Sequence, residues 1–194
     1  GGVFHGIQLW INLPSAKKMT APNYQNLGGG DVKLIASHDG GALIRVIAGD
    51  IDGHVGPGKS QTPMTIAHVT LSPGASVSIP WNPAFNSLAY VLAGAGTVGE
   101  GETGGHAAPI STGALAVLVD GDRLVLTADT VQDSRNNALD VLLLGGQPIN
   151  ETVVAYGPFV MNTRDEVVQA IEDFNFGRFG QIPEDALQPF HHRR

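Results

Sequence analysis

The sequence predicts an all-β sandwich or barrel with a single helix near its carboxy terminus. Three observations predict it. Short runs rich in aliphatic and β-branched residues recur at near-regular spacing between residues 32 and 144. Turn signals separate them, and the 26 glycines and 12 prolines follow no period, which favours turn-rich β structure and excludes a collagen repeat. One stretch, 163–176, joins a helix cap to apolar residues at helical spacing.

Taken in order, residues 5–13 read HGIQLWINL and alternate. Ile7, Leu9 and Ile11 fall on one face and Gln8, Trp10 and Asn12 on the other, so a strand ending at Pro14 is expected. Ser15 is placed to cap a short helical turn over 15–19. Gly28, Gly29 and Gly30 mark residues 25–31 as a loop or linker. Strands at 32–37 and 42–48 flank the hairpin signal His38-Asp39-Gly40-Gly41. Residues 49–63 read as a polar loop. A strand at 64–71 leads to the turn Ser72-Pro73-Gly74. Strands at 76–80 and 88–93 enclose a loop around Trp81, and Thr97-Val98 forms a short strand within the glycine-rich 94–105. Strands at 114–119, 123–128 and 138–144 complete the series, the first two divided by Asp120-Gly121-Asp122. Thr163 and Glu166 then form a capping box for a helix over 164–176, with Val167, Ile171 and Phe174 on its apolar face and Gly177 as its stop. The tail from Gln181 to His191-His192-Arg193-Arg194 reads as a disordered end.

At 194 residues the chain can bury about 70% of its unfolded surface, enough for a real core. Only 15% of residues are charged, against about 25% in ordinary soluble chains, which suggests that part of the surface is normally covered. The net charge is −7 and the basic residues do not cluster beyond Lys17-Lys18 and Arg193-Arg194, so a nucleic-acid or anionic-membrane footprint is missing. With no cysteine, disulfides and thiolate chemistry are excluded, and a cytoplasmic location fits. No apolar run approaches the roughly 20 residues that span a bilayer. The start, Gly1-Gly2-Val3-Phe4, lacks Met and runs directly into strand-like sequence, which reads as the cut end of a longer chain.

Three segments together resemble the pirin-like double-cupin family: HGIQLWINLP at 5–14 with Lys17-Lys18-Met19 and Pro22-Asn23-Tyr24-Gln25; Gln61-Thr62-Pro63 with the Pro73-Gly74-Ala75 turn; and Tyr156-Gly157-Pro158-Phe159-Val160-Met161-Asn162-Thr163 before the helix. The resemblance runs in order along nearly the whole chain. It implies a cupin-type double-stranded β-helix barrel with a carboxy-terminal helix that packs back toward a preceding barrel. It implies that iron or a similar divalent metal sits in that amino-terminal barrel, on three His and one Glu. Relatives are quercetin 2,3-dioxygenases or nuclear transcription cofactors. The layout expected from the resemblance is a closing strand of the first barrel plus linker over 1–30, a second, metal-free barrel over 31–150, and an arm with the helix over 151–194.

The cupin ligand slots can be placed on this sequence position by position. Counting from Gly74, the H-x-H slots of a cupin fall on Pro80 and Asn82, the Glu slot before Gly94 on Ser87, and the later His slot after Gly121 on Leu124. None suits a site built from imidazole and carboxylate. His5 reads as a structural histidine, His38 as a turn residue, His54 and His106 as exposed loop residues, His68 as a sheet-surface residue and His191-His192 as part of the tail; no two on one element have ligand spacing. There is no G-x-S-x-G elbow. Gly94 to Gly99 fits G-x-G-x-x-G, but no helix follows. Asp120 with Asp122 and Glu100 with Glu102 read as turn residues, and Asp165 with Glu166 as helix-start residues. Gln8 is the one candidate for a binding role, lining the pocket of the first barrel; no catalytic, cofactor-binding or metal-ligating residue is expected in the chain itself. The chain is therefore expected to be an inactive scaffold whose partner is the amino-terminal cupin barrel. The alternative is a stand-alone cupin binding module or transcription cofactor, paired with itself as a homo-oligomer to cover Ile7, Leu9 and Ile11.

Overall fold

A computed structural model describes residues 5–99, 107–119 and 121–180. Glu100, Glu102, His106, Asp120 and the tail from 181, on which several expectations fell, lie outside the described residues. The chain forms two compact units, one of residues 25–148 and one in which 1–24 and 149–194 come together.

Among its described residues the larger unit holds twelve strands: β1 (Lys33–Ala36), β2 (Ala42–Ala48), β3 (Asp50–Ile51), β4 (His54–Val55), β5 (Met64–Leu71), β6 (Ser76–Pro80), β7 (Asn86–Ala93), β8 (Ala95–Val98), β9 (Ala108–Ser111), β10 (Leu115–Leu118), β11 (Arg123–Ala128) and β12 (Leu139–Gly146). A six-stranded sheet runs β1-β2-β5-β12-β7-β10, and a four-stranded sheet runs β6-β11-β8-β9. Their strand pairs are antiparallel. Strand side chains alternate between faces, and the sequence uses this directly. In β2, Ala42, Ile44, Val46 and Ala48 are buried while their neighbours are half-buried. Val69 and Leu71 of β5, Val91 of β7, Leu126 of β11 and Leu143 of β12 join one core. Burying each such side chain is worth about 1.5–3 kcal/mol, which makes this face the main source of stability. The turn at 72–75 follows the residues: Pro73 presets the second position, Gly74 takes φ 73 at the third, and the Ala75 amide donates to Ser72 O at 3.0 Å, a type II arrangement.

The smaller unit holds β13 (Val154–Tyr156), β14 (Phe159–Met161) and helix α1 (Arg164–Asn175). Thr163 Oγ1 accepts the Glu166 amide at 3.2 Å, and the Glu166 carboxylate accepts the Thr163 amide at 2.8 Å, completing the capping box. At the other end Gly177 takes φ 69. Its amide donates to Phe174 O at 3.0 Å and the Arg178 amide donates to Asp173 O at 2.8 Å, the paired bonds of a Schellman stop.

Several expectations are corrected. Residues 5–13 form no strand. Alternation makes a strand only where a second strand completes the ladder, and nothing among the described residues pairs with this one; Ile7, Leu9 and Ile11 are 44%, 41% and 52% exposed. Ser15 does not cap its turn, a 3₁₀ turn over Ser15–Lys17. Its amide instead donates to the Glu151 carboxylate at 2.7 Å. The loop at 49–63 contains the hairpin β3–β4, closed by Asp52 and Gly53 at φ 51 and 77, as a type I′ turn requires. The hairpin β13–β14 also has no sign in the strand pattern of the sequence. Gly157 takes φ 55, and the fixed negative φ of Pro158 excludes a type I′ turn, leaving the II′ class. Nor does the sequence pattern mark strand β9. Phe174 does not bury itself on the helix face, being 62% exposed, whereas Val167 and Ala170 are buried.

Candidate functional site

Three places hold the residues the sequence singles out. The first is the barrel interior at the end of β6. In β6 and β11, Ile79 faces Leu124 across the sheet, and they are 1% and 3% exposed. Trp81 follows, 9% exposed, and its indole Nε1–H donates to Ser87 Oγ at 2.6 Å. A methyl group at Gly145 would lie 2.7 Å from the Trp81 ring, so glycine there makes room for the indole. The remaining opening is about 80 Å³, bordered by Trp81, Phe85, Ser87, Leu118 and Leu124. Ser87 and Leu124 are buried, but Pro80 and Asn82 are exposed. A strand changes face at every residue, so the H-x-H count lands one residue out of phase. The inward positions are Ile79 and Trp81.

The second place is the half-buried face of the six-stranded sheet, where the sequence pattern singles out only His68. His68 does share the half-buried face of β5 with Ile66 and Thr70. It is part of a network: His68 Nε2 lies 3.2 Å from Asp140 Oδ1, Thr70 Oγ1 donates to the same oxygen at 2.7 Å, Arg45 donates to Thr70 Oγ1 at 2.9 Å, and Asn136 donates to Asp140 Oδ2. Partial burial pushes the Asp140 pKa up, but the hydrogen bonds from His68, Thr70 and Asn136 outweigh it and hold the carboxyl at about 2. His5 and His38 are exposed, whereas His54 stands on β4, half-buried, its Nδ1 3.0 Å from Asp52 O. Gly94 to Gly99 encloses strand β8.

The third place is the smaller unit. Lys18 Nζ donates to Asn12 Oδ1 at 2.7 Å and to Val160 O at 3.0 Å. Glu151 accepts from the Ser15 amide and from Asn162 Nδ2 at 2.8 Å. The Ser15 bond, ahead of those from Asn162 and the charge of Lys18, holds the Glu151 carboxyl below its usual range. These bonds join the two segments at the ends of the chain. Between them lies a cavity of about 290 Å³, walled by Trp10, Leu13, Pro158, Val160 and Met161 with Lys18 at its edge. Gln8 is exposed on the same unit and does not border the cavity.

Residues 66–180 match the Pirin C-terminal cupin domain, more than half of the chain. This chain belongs to the pirin family. A pirin-like protein of Solanum lycopersicum is 37% identical over 92% of this chain and 58% of its own length, and human pirin is 34% identical over 91% and 57%. A quercetin 2,3-dioxygenase of Acinetobacter baumannii superposes with a TM-score of 0.76 at 34% identity, over 89% of this chain and 56% of that one. The chain thus spans a little over half the length of the pirin relatives it matches. The fold is the cupin type, all-β with one carboxy-terminal helix.

The pirin resemblance raises a metal, and the barrel interior of the larger unit does not fit one. At the inward positions it offers an aliphatic side chain at Ile79, an indole that can only donate at Trp81, a hydroxyl already engaged at Ser87 and another aliphatic at Leu124. Among the described residues no three of His, Cys, Asp and Glu gather as ligands.

Proposed function

We propose that this chain is the carboxy-terminal portion of a pirin-like double cupin, in which 25–148 is a scaffold barrel and the chemistry belongs to an amino-terminal barrel. The observation that carries this reading is where apolar surface lies. Among the described residues, eleven of the seventeen exposed large hydrophobic side chains belong to the smaller unit. They include Ile7, Leu9, Trp10 and Ile11 at one end of the chain and Val168, Phe174 and Phe176 at the other. Apolar surface so concentrated marks a covered face. The relatives supply a candidate cover, since they are longer by nearly the length of one more such domain.

In this reading the segment at 5–13 becomes the strand its alternation suggests once the first barrel supplies a ladder, and Gln8 then lines that barrel's pocket. Iron or a similar divalent metal sits there, and the activity is quercetin 2,3-dioxygenation, as in the Acinetobacter relative's name. The direct test is elemental analysis of the purified chain with a quercetin-consumption assay. Substoichiometric metal and no turnover are expected; one metal per chain together with turnover would sink the reading.

A further inference from the structure

We infer that strand β10 is an edge that pairs with β10 of a second copy of this chain, antiparallel across a two-fold axis at Val117. The two main sheets of the larger unit present four edge strands among the described residues, β1 and β10 in one and β6 and β9 in the other. An edge strand offers unpaired N–H and C=O groups to any other chain, and proteins blunt it with lysine or proline. Strand β1 carries Lys33, β6 carries Pro80 and β9 carries Pro109. Strand β10 carries neither, and no charged residue occurs anywhere in 107–119. Of the six exposed large hydrophobic side chains in the larger unit, three stand on this strand or at its exit. They are Leu115, Val117 and Val119, 55%, 72% and 91% exposed.

The ladder with β7 fixes which backbone groups are free. The Val91 amide donates to Ala114 O at 3.0 Å. Hydrogen-bonded pairs recur at every second residue of an antiparallel ladder. With Leu115 opposite Tyr90 and Val117 opposite Leu88, Ala116 and Leu118 therefore bond to β7, and Leu115 and Val117 aim their amides and carbonyls outward. Among the described residues no strand takes these groups up. The occupant has to be an extended segment, and the side chains select a second β10. Residues with outward backbone groups must meet one another. Pairing Val117 with its own copy then sets Leu115 against the copy's Val119, all on one face of the joined sheet. Every exposed apolar side chain of the edge thus meets another, and aliphatic cross-strand neighbours of this kind stabilise a ladder. Charge gives the second reason. A two-fold axis brings each side chain near it toward its own copy, so a chain of net charge −7 repels itself wherever acidic groups approach that axis. The uncharged stretch 107–119 is free of that repulsion.

The test is sedimentation of the whole chain over a dilution series. A short edge makes a small interface, so the expected assembly is a weak, reversible dimer. Val117→Lys places like charges directly opposite each other and should weaken that dimer by about tenfold or more. Val117→Glu should do the same. An equimolar mixture of the two variants should regain the parent's association, because Lys then faces Glu across the axis. Loss of an apolar contact alone would not produce that recovery. Both substitutions fall on an exposed side chain, so the variants are expected to fold as the parent does. A parent chain that stays monomeric throughout the series would overturn the inference. So would a dimer that survives Val117→Lys, which would have to use another face, or variants that fail to associate alone and fail equally when mixed.

Discussion

At the scale of the residue, Trp81 decides the character of the barrel interior. Its indole fills space that Gly145 leaves free and spends its one donor on Ser87. Trp81→Ala is therefore expected to destabilise the chain by about 3–5 kcal/mol in urea unfolding, through the void and the lost partner of Ser87. Gly145→Ala errs in the opposite sense, overpacking the ring, and should cost about 1–3 kcal/mol. Asp140 gives a pH signature. Its folded pKa of about 2 lies below the ordinary aspartate value of 3.8, so its stabilising contribution is complete above the unfolded value and is lost as pH falls through the folded one. Asp140→Asn should cost about 1–2 kcal/mol at pH 7, and the gap to the parent chain should close between about pH 4 and pH 2. Neither feature was legible in the sequence. His68 and Asp140 stand 72 residues apart and meet only because β5 pairs with β12. The phase of the H-x-H slots was lost to a single residue, because counting from Gly74 says nothing about which face the strand presents.

At the scale of the element, legibility tracked length and chemistry. Strands of five to eight residues show their period, and β2, β5, β6 and β11 were read to the residue. The hairpins β3–β4 and β13–β14 have strands of two or three residues, too short to show any period. Their signal lay in the turns instead. Asp52-Gly53 is among the strongest short hairpin dipeptides, but it was hidden inside a stretch read as polar loop. The helix was legible because Thr163 and Glu166 announce its start whatever packs on it. Thr163→Ala should lower stability by about 1 kcal/mol. Gly177→Ala should cost a similar amount, about 1 kcal/mol, because Gly177 holds a left-handed φ of 69. Thermal melting of the two variants beside the parent chain checks both values.

At the scale of the whole molecule, the low charge content predicts covered surface, and among the described residues the exposed large apolar side chains fall mostly in the smaller unit. What the sequence did not show is that this apolar surface belongs to a unit built from two segments far apart along the chain. A boundary drawn along the sequence separates 1–30 from 151–194, while the fold groups 1–24 with 149–194. Leu9 tests the meaning of this surface. At 41% exposed it supports little in the chain alone, so Leu9→Asn should shift urea unfolding of this chain by no more than about 0.5 kcal/mol. In a protein that carries the preceding barrel the same change is expected to cost about 2 kcal/mol or more, because there it removes a buried apolar contact.

The bonds that join the chain ends also fix an order of events during synthesis. Ser15 waits for Glu151, 136 residues later, and Lys18 waits for Val160, 142 residues later. At about 5–20 residues per second the ribosome takes on the order of ten seconds to deliver those partners. Through that interval Trp10 and its apolar neighbours have no carboxy-terminal arm to meet, while the strands of 25–148 emerge and can fold. Folding of that barrel draws the two ends together and shortens the loop that must be closed. The clasp then forms last, after the strands of 25–148 have emerged between its two halves.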